Sequence, residues 1–210
     1  MSGEALRRLG WYNLKLTAHV SWLLSAVLLA AVPVFLSPEL MERGQTAKLG
    51  EWMVSMVGLM AYPHLALLDS GGIGQTLYAK RVRPQPVFLF RWLVATLFVF
   101  GVVAAFFAWL HSRGAGFALG PMIGGIGITA MAIGSAAMTF ALLFGSLPAG
   151  YIAGFAWYLL DFTTKGKWTG PFYLFGLVGS EWDSDKWLLV GLSLLLAAFS
   201  ALRLPSRRLD

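Results

Sequence analysis

The chain has 210 residues, of which 58% are hydrophobic and 12% charged, with a mean hydropathy of +0.70 and a net charge of +6. A soluble domain carries about 25% charged residues, so these values exclude a water-soluble globule and define an all-α integral membrane protein. With no cysteine, disulfides, thiolate metal sites and cysteine nucleophiles are excluded as well. In a soluble protein the basic excess would point to nucleic acid. Here the basic residues flank apolar runs and anchor them at the headgroups, so no nucleic-acid partner is expected. A spanning helix needs about 20 residues, which leaves room for six transmembrane helices in one domain over residues 1–210.

Residues 1–16 carry Arg7, Arg8 and Lys15 among Leu6, Leu9, Trp11, Leu14 and Leu16. This pattern predicts an N-terminal interfacial helix with Trp11 and Tyr12 at headgroup depth. The first span is expected over Thr17–Leu36. Its length exceeds that of a signal-peptide core, and no small-x-small cleavage site follows. Residues 37–51 are polar, with Glu39, Glu42, Arg43, Lys48 and Glu51, and read as a loop. The second span is expected over Trp52–Leu68.

The stretch from Asp69 to Arg91 is the longest polar interruption in this half of the chain. Ser70 can cap a short helix. Ile73 and Leu77 then share one face, while Gln75, Thr76, Lys80 and Arg83 fall elsewhere on the wheel. Pro84 and Pro86 end it, because neither donates an N–H. Two readings stand: an amphipathic helix that touches a partner, or a solvated, basic juxtamembrane linker.

The third span is expected over Trp92–Leu110, followed by a turn with His111 and Arg113. Between Gly114 and Leu160 no residue is charged or histidine. The Gly145-Ser-Leu-Pro148 break divides this run into a fourth span, Gly120–Phe144, and a fifth. Gly120/Gly124, Ala130/Gly134 and Gly150/Gly154 have the small-xxx-small spacing that lets helices approach closely in lipid. Residues 162–186 are charged and aromatic. Their apolar part, Trp168–Val178, is too short to span and is expected to re-enter or lie along the interface. The sixth span is expected over Trp187–Leu202. Lys and Arg number ten in 1–16, 69–91 and 203–210, against six in the three opposite segments. The positive-inside rule therefore predicts cytoplasmic termini and a cytoplasmic 69–91 stretch in the cell membrane.

Little in the sequence supports chemistry on this chain. Gly71-Gly72-Ile73-Gly74 lacks the Gly-Lys-Ser/Thr ending of a phosphate loop, so any ATP and Mg belong to another chain. No nucleophilic triad or carboxylate pair is present, and no enzyme activity is expected. His19 and His64 sit at similar depth and could ligate a haem across the bundle, or be packed core residues. Asp161 reads as a boundary residue or as an intramembrane carboxylate on an ion path. Tyr62, Pro63, Tyr151, Trp157 and Tyr158, with His19 and His64, could line a cavity or simply pack.

This layout resembles the permease subunit of ABC-2 type (type V) ABC transporters. The resemblance rests on the helix Arg7–Leu16 before the first span and the segment Ser70–Pro84 between the second and third. It rests also on the joined pair running through Leu143-Phe-Gly-Ser-Leu-Pro-Ala-Gly-Tyr-Ile-Ala-Gly154, and on the aromatic segment before the last span. Many relatives carry glutamates before the coupling segment, where this chain has only Asp69. The resemblance implies an exporter in which two permeases, identical or not, pair with two cytoplasmic ABC ATPases. Ser70, Ile73, Leu77, Tyr78, Lys80, Arg81 and Arg83 would make the coupling contact. The rival expectation is an electron-transfer or haem-anchoring subunit using His19 and His64.

Overall fold

The computed structural model describes residues 3–32, 41–68, 84–179, 182 and 184–204. Among them are eight α-helices, some 3-10 and π turns, and no strand. Helix α1 (Gly3–Thr17) meets α2 (Val20–Ala31) at His19, which has an extended backbone and accepts a hydrogen bond from the Ser21 N–H through its ring. The axes of Gly10–Thr17 and α2 differ by 57°. An interfacial helix can thus turn into the bundle within two residues.

The predicted second span is the main departure. It starts earlier than expected, at Arg43 rather than Trp52, and is broken into four pieces: α3 (Arg43–Leu49), a π turn (Gly50–Val54), α4 (Met56–Ala61) and a 3-10 turn (Pro63–Leu67). The π turn is closed by the Ser55 N–H on the Gly50 carbonyl, and Pro63 has no N–H with which to continue α4. The third span also starts earlier. Helix α5 runs Pro84–Ser112 and takes in both prolines as well as Arg91. Proline is tolerated in the first helical turn, where no N–H is needed, so Pro84 and Pro86 begin a helix here.

Helices α6 (Leu119–Phe144), α7 (Leu147–Thr164) and α8 (Lys186–Arg203) follow the predicted fourth to sixth spans within a few residues. Gly145, in the left-handed region at φ 65°, ends α6 with its N–H on the Ala141 carbonyl. Ser146 then leads into α7 with Pro148 in its first turn. Three helices, α5, α6 and α8, are long and apolar enough to cross a bilayer, and a fourth span results if the bent pair of Gly10–Thr17 and α2 counts as one. Helix α7 falls short because its eighteen residues include Pro148, Asp161, Thr163 and Thr164. The described residues therefore have the helical character of a membrane protein, with three to four helices long and apolar enough to cross a bilayer.

The bundle is built around α6, whose most apolar window is 89% buried, against 33% for α5 and α8. Its small residues make this possible. A Cβ at Gly58 would overlap the Ala130 carbonyl, and one at Gly134 would overlap the Tyr62 ring. Gly150 and Gly154 press α7 onto Ala137 and Ala141 of α6. The Gly150/Gly154 and Ala130/Gly134 pairs are thus true close approaches. At Gly120 a Cβ would meet nothing within 4 Å, and at Gly124 only the Trp182 ring, so that pair joins no helices among the described residues. Helix α5 runs against α6, as Trp92 donates to Ser135 and Phe100 packs at Gly127. Helix α8 runs alongside it, with Lys186 at Thr129 and Ser200 at Thr139. Two ends result: one holds Glu51, Lys186 and residues 165–178, the other holds Asn13, Arg91 and the Ser146 turn.

Candidate functional site

The polar residues concentrate at these two ends. At the first, the π turn rotates Glu51 into the bundle, where it is fully buried. Its carboxylate accepts the Leu177 N–H at 2.9 Å, the Val178 N–H at 3.3 Å and the Lys186 ammonium at 2.9 Å. Lys186, 1% exposed, also donates to Thr129 Oγ1 at 2.7 Å and to the Leu174 carbonyl at 2.5 Å. An ammonium has three N–H donors, so Lys186 can serve all three of these acceptors. Charges in a membrane bundle are tolerated when paired in this way.

Asp161 completes the cluster. It is fully buried and accepts Thr169 Oγ1–H at 2.5 Å and the Leu174 N–H at 2.9 Å. The reading of Asp161 as an ordinary boundary residue is therefore corrected. It staples the segment after α7 to that helix, and Glu51 staples the same segment to the π turn. The expected re-entrant segment consists of two 3-10 turns, Gly170–Phe172 and Gly176–Val178. Leu174, Phe175 and Leu177 are buried, while Trp168 stays exposed. Burial, followed by the Glu51 and Asp161 charges, pushes the Tyr173 phenol above its usual range, so it stays neutral beside them. Asp161→Asn keeps one acceptor but turns an amide N–H₂ toward a donor. It is expected to destabilise the protein by about 1–3 kcal/mol, measured by thermal melting in nanodiscs.

Sequence reading placed Glu51 and Lys186 in loops and gave neither a role. The available signal was slight: each is a single charge directly beside an apolar run, and the two are 135 residues apart.

At the other end, Arg91 of α5 is fully buried and donates from Nε to Asn13 Oδ1 at 2.8 Å, tying α1 to α5. His64 Nε2 meets the Thr17 carbonyl at 3.0 Å and can only donate there. His19 and His64 are brought together, but their rings are stacked, with centroids 4.9 Å apart and planes 20° apart. Imidazole lone pairs lie in the ring plane, so stacked rings do not aim at one iron from opposite faces. With His64 Nε2 already engaged, the pair does not fit a haem held between two histidines.

Of the other predicted site residues, Tyr62 is buried with its hydroxyl 2.9 Å from Thr96 Oγ1. Tyr158 is buried and donates to the Trp52 carbonyl at 2.8 Å, and Tyr151 is half-buried in α7. Tyr62 and Tyr158 hold the broken arm 43–67 against α5 and α7. Ser70, Ile73, Leu77, Tyr78, Lys80, Arg81 and Arg83 lie outside the described residues. The described residues stop at Leu68 and resume at Pro84, at the end that holds Arg91.

Set against models of protein families, curated proteins and solved structures, the chain matches none.

Proposed function

We propose that this protein is the permease subunit of an ATP-driven exporter of the ABC-2 type. The observation that carries the reading is the stretch 69–83. Wound as a helix, its sequence would set Ile73 and Leu77 on one side and Lys80 and Arg83 on another, and in the chain it lies between the broken arm 43–67 and α5. The tight α6–α7 pair and the folded-back segment at the opposite end agree with it. In this reading six segments cross the cell membrane, with the arm 43–67 and α7 as the less regular two, and both termini are cytoplasmic. ATP and Mg are held by separate ATPase chains, and a second permease completes the substrate path.

Ile73, Leu77 and Tyr78 seat in a groove on the ATPase, and Lys80, Arg81 and Arg83 meet its acidic rim. Ser70 caps the helix. Closure of the ATPases then displaces the stretch, and the displacement enters α5 at Pro84. Arg91 lies seven residues further along α5 and is bonded to Asn13, so α1 moves with α5. Leu77→Asp is expected to weaken ATPase association roughly 30-fold, as for a central anchor residue, while leaving melting of the permease unchanged. The check is whether an ABC ATPase co-purifies from native membranes with the wild-type protein and less so with Leu77→Asp. Undiminished association and transport in Leu77→Asp overturn the reading.

A further inference from the structure

An apolar groove of about 550 Å³ opens between α2 and α5. Small residues, Ala26 and Ala30 on α2 and Gly101 and Ala105 on α5, line it together with Leu29, Val102 and Phe106, and Trp109 stands at one end. No carboxylate lines it. Among the described residues Gly101 plays no part in packing, since a Cβ there would meet nothing within 4 Å. Ala26, Ala30 and Ala105 are likewise exposed.

Two features decide what fits. The first is depth. Gly101 to Trp109 is eight residues, about 12 Å along a helix, close to one leaflet of a hydrocarbon core about 30 Å thick. A spanning helix of a second copy would need a groove about twice that long. The second is charge. Arg113, one turn beyond Trp109 and exposed, carries its guanidinium 5.7 Å from the Trp109 ring centroid. Tryptophan marks the headgroup level, so the cation stands at phosphate depth above the mouth of a tail-sized slot.

We propose that this groove binds one acyl chain of an anionic membrane phospholipid, whose phosphate is held at Arg113. The site is independent of the transporter reading. Small side chains on both walls admit a methylene chain, the Trp109 ring orients the guanidinium, and the guanidinium selects net negative headgroups over zwitterionic ones.

The test is native mass spectrometry of the full chain released from nanodiscs of phosphatidylglycerol mixed with phosphatidylcholine. The wild-type protein is expected to retain one phosphatidylglycerol with about fivefold preference, the effect of one basic residue near a membrane surface. Gly101→Leu fills the slot and is expected to lower retention of either lipid by about tenfold, the worth of two displaced methylenes. Ala30→Leu, on the opposite wall, serves as the second blocking variant should Gly101→Leu melt abnormally. Arg113→Gln is expected to keep the bound lipid and lose the preference. Equal retention and preference in the wild type and all variants overturn the proposal. So does a disulfide linking two copies through Ala105→Cys in the bilayer, which would give the groove to a second chain.

Discussion

Lys186→Met is expected to destabilise the protein by about 3–5 kcal/mol, the cost of stranding a buried charge. Glu51 would keep the Leu177 and Val178 N–H groups but face an apolar side chain in place of its cation. The Thr129 hydroxyl and the Leu174 carbonyl would each lose a donor. Adding Glu51→Gln removes the stranded charge while keeping an acceptor for the two N–H groups. The double variant is therefore expected to recover part of the loss, so the two effects fall short of additivity. Thermal melting of the four proteins of this cycle, in one lipid composition, measures the coupling. A Lys186→Met protein that melts like the wild type would mean that the pair holds nothing together. The segment Thr169–Val178 should also become more open to protease in Lys186→Met, since its Leu174 carbonyl loses the Lys186 ammonium and its Leu177 and Val178 N–H groups are left on a carboxylate without that cation.

Gly58→Ala is the second large effect. A Cβ at Gly58 would overlap backbone atoms of Ala130, a carbonyl that cannot rotate aside as a side chain would. Helices α4 and α6 must then separate, and Tyr62, which lies against Gly134 and bonds Thr96, must move with α4. A loss of about 2–3 kcal/mol is expected, at the upper part of the range for overpacked cores. Gly101→Ala is the matched control. It adds the same methyl group where nothing lies within 4 Å, and its melting temperature should equal the wild-type value or exceed it slightly. Equal melting of the two alanine variants would contradict the close contact of α4 with α6.

How far the sequence could be read depended on the length and purity of each apolar run. Helices α5, α6 and α8 were legible because each is a long run with few charges. The end of α6 was marked by Gly145, which alone among nearby residues adopts the left-handed turn without strain. The arm 43–67 was misjudged for the opposite reason. Its polar start looked like loop, and nothing in Gly50-Glu-Trp-Met-Val54 announces a π turn. The added residue per turn shows itself only once Gly50 lies against Ile126 and Phe107 and Glu51 has found Lys186. Likewise Pro84 and Pro86 signal a helix end and a helix start equally well by local chemistry.

By itself, then, the sequence determined that the chain belongs in lipid, that its helices are long and Gly-rich in the middle, and that a basic, polar stretch interrupts them. These properties follow from composition and from periodicity along a single helix. Only the tertiary structure decided that α6 stands at the centre and that Glu51, Asp161 and Lys186 form one buried cluster. It alone stacked His19 on His64, and left Ala26, Ala30, Gly101 and Ala105 around an open groove. The reason is physical: a charge is tolerated in an apolar bundle only opposite its partner, and which residues become partners is set by how distant helices pack, which local sequence does not record.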